Sequence, residues 1–196
     1  MHPTRVVLFL GLFLFCCGPV LAQKPGPQFW RKGGCEPYEP RTKLEAIENR
    51  YNTVIIKAFT RITTVEVRGV RIDAVDMREN GGTAHAKGIV IQLREDGGQL
   101  NDNRAFVDYE EIDGLLNAID TAVRVDETMT KLPGFEARYK TSGDLELSVF
   151  RQTRSGTAVT LTTGLCERPT QTMTLDDLGK VKAMIQEAKT RLDELR

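Results

Sequence analysis

The stretch from Ala86 to Val123 constrains this chain more than any other. In AKGIVIQLR, Ile89, Ile91 and Leu93 alternate with Val90, Gln92 and Arg94, the pattern of a half-buried strand. Glu95-Asp96-Gly97-Gly98 turns the chain, and Ala105-Phe106-Val107 resumes it as a short strand. Asp108 and Glu111 then have capping-box spacing, with Glu110 placed to complement the positive end of a helix. Ile112, Leu115, Leu116, Ile119 and Val123 follow as one apolar stripe. A period of two gives way to a helical period over a short span. The segment therefore reads as an antiparallel strand pair with a helix laid on it.

The rest of the chain repeats that grammar. Thr42 and Glu45 form a capping box ahead of a short helix whose apolar face is Leu44, Ile47 and Tyr51, with Asn52 as its stop. From Val54 to Met77 the chain reads as strand, and the alternation changes phase at Gly69, where a bulge or bend belongs. Asn80-Gly81-Gly82 is a turn. Beyond Pro133-Gly134, Phe135, Ala137 and Tyr139 alternate, Ser142-Gly143-Asp144 turns, and Leu145, Leu147 and Val149 alternate again. Thr157 to Thr163 is a threonine-rich strand with Val159 and Leu161 on one side. Thr174 and Asp177 open the last helix, whose stripe is Leu178, Val181, Ile185, Ala188, Leu192 and Leu195. The fold class is α+β, with antiparallel sheets and two long amphipathic helices. A single domain spans 42–196, and its halves 51–125 and 134–196 read as a degenerate duplication.

Taken as element order from Tyr51 to Arg196, this plan resembles the tandem four-strands-then-helix arrangement of the Whirly family of single-stranded-DNA-binding proteins. The resemblance implies a fold and, as one reading, a nucleic-acid-binding domain. The chain departs from the family at the lysine-rich strand motif on which that family relies for DNA. Its nearest string, His85-Ala86-Lys87-Gly88, does not match that motif.

The N-terminus bears on location. Arg5 precedes a continuous apolar run from Val6 to Cys17, Gly18-Pro19 ends it, and Val20-Leu21-Ala22 precedes Gln23. This is the layout of a secretory signal peptide over 1–22, cleaved near Ala22, which places the mature protein in a periplasm or outside the cell. An anchor helix needs ~20 apolar residues, and this run is shorter. A lipoprotein cysteine needs small residues before it, and Phe15 precedes Cys16. Residues 23–41 are rich in proline and glycine and read as an extended arm, whose Phe29, Trp30 and Tyr38 fold back onto the domain. Signal removal leaves Cys35 and Cys166 in an oxidising compartment, where pairing is the natural outcome over two free thiols. A bridge closing so long a loop contributes on the order of 4–5 kcal/mol in the chain-entropy view.

Charge names no partner, because 27 basic residues balance 27 acidic ones. Lys57, Arg61, Arg68 and Arg71 form a modest basic patch, interrupted by Glu66 and Asp73. Once the signal is removed, His85 is the lone histidine, which excludes a two-histidine metal site within one chain and reads as a solvated loop residue. Asp73, Asp76 and Glu79 are close in sequence, but Asp73 and Asp76 point to opposite faces of a strand. No G-x-S-x-G elbow, P-loop or cofactor fingerprint is present, and Asp176-Asp177 belongs to a helix N-terminus. The reading is a non-enzymatic exported binding or structural module with a protein partner, no cofactor and no metal. A hydrolase using carboxylates alone is the alternative from another class. Intact-mass measurement of the secreted protein under non-reducing conditions checks export and pairing together. The mass expected is that of a chain beginning at Gln23 and lacking two thiol hydrogens.

Overall fold

The computed structural model describes residues 39–65, 67, 69–94, 100–125, 129, 131–152, 156–164 and 168–195. The signal peptide, nearly all of the arm, both cysteines of the expected disulfide, and Arg68 of the basic patch lie outside the described residues. The elements are α1 (Lys43–Glu48), β1 (Ile55–Arg61), β2 (Val70–Glu79), β3 (His85–Arg94), β4 (Leu100–Asp108), α2 (Ile112–Val123), β5 (Phe135–Lys140), β6 (Leu145–Gln152), β7 (Gly156–Thr163), β8 (Thr170–Met173) and α3 (Leu175–Asp193). The strands form two four-stranded antiparallel meanders, β1-β2-β3-β4 and β5-β6-β7-β8, and the fold is α+β as the periodicity requires.

In the first sheet, cross-strand register puts Ile72 beside Ile91, and Ala74 beside Ile89, which in turn meets Val107. These residues form the buried inner face. Arg71, Asp73, Val75, Met77, Val90, Gln92 and Arg104 share the outer face. The Val54–Met77 run is two strands and not one. It reverses between Ile62, whose N–H donates to Ile72 O at 3.0 Å, and Val70, whose N–H donates to Val67 O at 3.0 Å. Gly69 sits in that connection. The change of phase therefore marks a hairpin, and β-branched residues on both sides of the turn disguised it as one strand.

Helix α1 closes one end of the outer face. Thr42 Oγ1 accepts from Glu45 N at 3.1 Å, and Glu45 Oε2 accepts from Thr42 N at 3.2 Å, completing the expected capping box. Leu44 and Ile47 pack on Val75, Met77, Ala86, Val90 and Phe106 as a second, smaller core. Tyr51 is not on that helical face, because α1 ends at Asn49 and leaves Tyr51 exposed. Asp108 also departs from expectation and makes no side-chain cap on the helix that follows it. Its carboxylate instead accepts from Lys43 N at 2.7 Å and Leu44 N at 3.1 Å, so β4 caps α1 across the sheet. Burial raises the Asp108 carboxyl above its ordinary value, against those two backbone donors, which lower it.

The second sheet turns Leu145, Leu147, Val149, Val159 and Leu161 inward, as their alternation requires. Strand β8 has no sequence signal: it is four residues long and its TQTM carries one apolar side chain that packs inward, Met173. Helix α2 buries Ile112, Leu115, Ile119 and Ala122, while Val123, its last residue, is exposed because the buried stripe continues through Ala122. Helix α3 is capped as expected by Thr174, whose Oγ1 accepts from Asp177 N at 3.1 Å. It buries Leu178, Val181, Met184, Ile185, Ala188 and Leu192, and Leu195 falls beyond its end and is exposed. Both sheets and both long helices contribute to one continuous apolar cluster.

The Ser142-Gly143-Asp144 turn is a joint as well as a turn. Phe106 N–H of the first sheet donates to Gly143 O at 3.1 Å. A Cβ on Gly143 would stand 1.8 Å from Phe106 O, so only glycine allows the two backbones to meet. Asp144 follows with φ of 64° and is fully buried, its carboxylate 3.1 Å from Arg41 Nη1 and 3.5 Å from Lys140 Nζ. Gly143→Ala should lower unfolding free energy by about 2–4 kcal/mol through forced backbone separation. Gly179→Ala, on an open helical site, should raise it by up to about 1 kcal/mol. Urea denaturation of both variants checks the opposite signs.

Candidate binding surface

Strand β1 is the edge of the first sheet. Val54 O accepts from Asn80 N, and Ile62 N donates to Ile72 O, so the even-numbered residues of β1 exchange backbone bonds with β2. The N–H and C=O groups of Ile55, Lys57, Phe59 and Arg61 consequently point away from the sheet, and no strand among the described residues pairs with them. Large apolar side chains crowd the same edge. Tyr51 is 66% exposed, Val54 63%, Ile56 52% and Phe59 60%. Isolated exposed apolar residues are ordinary on a protein surface; here Val54 and Ile56 flank the open edge on one face of the sheet and Phe59 on the other.

The described part of the expected basic patch gathers beside this edge. Lys57, Arg61 and Arg71 occupy the outer face, with Phe59 between Lys57 and Arg61. Arg104 joins them from β4, and its guanidinium lies 5.4 Å from the centre of the Phe106 ring. Sequence reasoning missed Arg104, which reaches the patch only because β4 pairs with β3 at Gln92. The patch is largely neutralised from within. Glu48 Oε1 lies 3.0 Å from Lys57 Nζ and 3.1 Å from Arg104 Nη1. Asp73 holds Arg71 Nη2 at 2.6 Å and Arg61 Nε at 3.5 Å.

The other residues singled out by sequence go elsewhere. His85 is not in a loop. It begins β3, and its Nε2 lies 2.6 Å from Asp76 Oδ1. Arg78 Nη2 donates to the other oxygen of Asp76 at 2.8 Å. Glu79 pairs with Arg50 at 2.5 Å. Asp73 and Asp76 stand on opposite faces of β2, each with its own cations, and among the described residues no three metal-ligating side chains converge. Asp177 serves its helix cap and binds Lys180 at 2.8 Å. The buried carboxylates Asp73, Asp76, Asp108 and Asp144 thus each have a different structural partner.

Asp76 gives the surface a measurable pH dependence. Burial pulls its carboxyl upward, but the hydrogen bonds from Arg78 and His85 and their charges outweigh this and hold it below the usual aspartate range. A depressed folded value means that its stabilisation is complete above the unfolded value of about 3.9 and fades as pH falls through the folded one. Asp76→Asn should therefore destabilise the protein at pH 7 by about 1–3 kcal/mol and flatten the fall in stability on acidification below about pH 4. Thermal melts of both proteins across that range check the slope.

Comparison with known proteins found no matching family model, and no significant match among curated proteins or solved structures.

Proposed function

We propose that this chain is a non-enzymatic, exported binding module that engages a protein partner by adding an extended segment of that partner to the edge of β1. The observation that carries the reading is that the outward backbone donors and acceptors of β1, which no described strand pairs, lie beside the exposed side chains of Ile56 and Phe59 and of Val54 just before the strand. An added strand satisfies the backbone groups of Ile55, Lys57, Phe59 and Arg61, and it lays alternate side chains against Ile56 on one face and Phe59 on the other. Soluble proteins blunt bare edges with charge. Here Lys57 and Arg61 sit on the edge, yet each is already engaged with a carboxylate. That favours an apolar partner segment over a polyanion. The nucleic-acid alternative implied by the Whirly resemblance needs free cations, and Glu48 and Asp73 occupy those on this face.

A photo-crosslinking amino acid placed at Phe59 and used in the native secretome should capture a protein through an extended peptide. With the probe at Phe59, Lys57→Pro, which removes a neighbouring outward N–H of the edge, should abolish capture and leave the circular dichroism spectrum intact. Capture from a probe at Asn117 but not at Phe59, or capture of an oligonucleotide with steep salt dependence, would reject the reading.

A further inference from the structure

Helix α3 packs on β2 and β3 and leaves Ala58 and Thr60 of β1 exposed, on the same inner side of the sheet as buried Ala74. Between this side of β1 and the last turns of α3 lies an open hollow of about 330 Å³. Its sheet wall is Ala58, Thr60 and Ala74, and its helix wall is Arg191, Leu192 and Leu195. A cavity of about 150 Å³ holds a benzene ring, so this one has room for a large side chain. The space exists because two alanines and a threonine line the sheet, while Leu192 is drawn back into the core. Both walls are held in place. Thr64, just past β1, donates through its hydroxyl to Glu187 of α3, one turn before Arg191. Lys87 Nζ donates to Leu192 O at 2.8 Å. The charges around the hollow are matched among themselves. Arg191 lies 3.6 Å from Glu187 and 3.8 Å from Glu194, and Asp76, which also lines the hollow, accepts from Arg78 on one oxygen and meets His85 with the other.

We infer that this hollow seats an aromatic side chain of the segment added to β1, and so reads one residue of the partner's sequence. The inference rests on the edge-pairing reading above and names the chemistry that the edge selects. A strand beside β1 bonds to the outward backbone groups of Lys57 and Phe59, about 4.8 Å away. Whichever way it runs, the pleat puts its side chain next to Ala58 on Ala58's own side of the sheet, over the hollow. The partner residues before and after that one point to the Phe59 side and miss it. A small side chain there leaves the hollow unfilled. A cationic one would compete with Arg78 and His85 for Asp76, and an anionic one with Glu187 and Glu194 for Arg191. A neutral ring does neither, and the planar guanidinium of Arg191 at the rim covers its face.

Fluorescence polarisation of the purified protein with labelled, capped heptapeptides of threonine tests the assignment. The central residue is phenylalanine in one peptide, cyclohexylalanine in a second and alanine in a third. The phenylalanine peptide should bind saturably and the alanine peptide at least about tenfold more weakly. The cyclohexylalanine peptide, equal in bulk but without a ring current of π electrons, should bind about two- to fivefold more weakly. Ala58→Trp, at an exposed position whose new ring fills the hollow, should remove the preference for phenylalanine over alanine. Arg191→Gln should remove only the preference for phenylalanine over cyclohexylalanine. Lys57→Pro should abolish binding of all three peptides. Circular dichroism establishes that each variant is folded. Equal binding of the three peptides to the native protein, still blocked by Lys57→Pro, overturns the hollow's role and leaves edge pairing standing. So does an unchanged preference in folded Ala58→Trp. Binding that survives Lys57→Pro, or no saturable binding of any peptide, overturns edge pairing and this inference with it.

Discussion

The structure depends on the close approach of the two sheets at Phe106 and Gly143. One backbone hydrogen bond of 3.1 Å is modest in isolation, contributing about 0.5–1.5 kcal/mol net. Its importance is geometric. By bringing the end of β4 against the turn before β6, it lets Ala105 and Val107 share a core with Leu145 and Leu147. A side chain at Gly143 would separate the layers and expose apolar surface on both. The buried Asp144 beside it is held by Arg41 and Lys140, so the same joint also ties the residue before the α1 N-cap to the second sheet.

The first sheet is covered unevenly, and this decides where the molecule can meet others. Its inner face is closed by the second meander and α3, and one end of its outer face by α1. Asp108 makes the second closure specific: a carboxylate at the end of β4 supplies the acceptor for the first N–H groups of a six-residue helix too short to persist alone. What remains open is the β1 side. There the cations are arranged in short chains with carboxylates, so the face is locally rigid and close to neutral, unlike a diffuse positive field.

Much of this was legible because it is local. The Thr42–Glu45 and Thr174–Asp177 caps and the alternation of β3, β5, β6 and β7 depend on neighbours within a few residues. The failures share a cause. Asp108 has the spacing of an N-cap for α2, but a partner distant in sequence, α1, offered better-placed donors. Gly143 looked like ordinary turn chemistry, because nothing in the sequence says that Phe106 will approach it. Arg104 and the Asp76–His85 pair likewise come together only through strand register. The β1–β2 hairpin was hidden because its turn is flanked by β-branched residues rather than by a run of glycine and asparagine.

Helix α3 packs on β2 and β3, and its last turn is fastened there by Lys87, whose Nζ donates to Leu192 O at 2.8 Å and lies 4.3 Å from the centre of the Tyr109 ring. The cover of the first sheet is therefore encoded last. On the ribosome, strands β1 to β4 emerge with Ile72, Ile89 and Ile91 bare, and they wait while the whole second meander is translated. At synthesis rates of ~5–20 residues per second that interval is several seconds. Throughout it, the inner face of the first meander is without the helix that packs on β2 and β3, whereas α1, made first, is already there for the outer face.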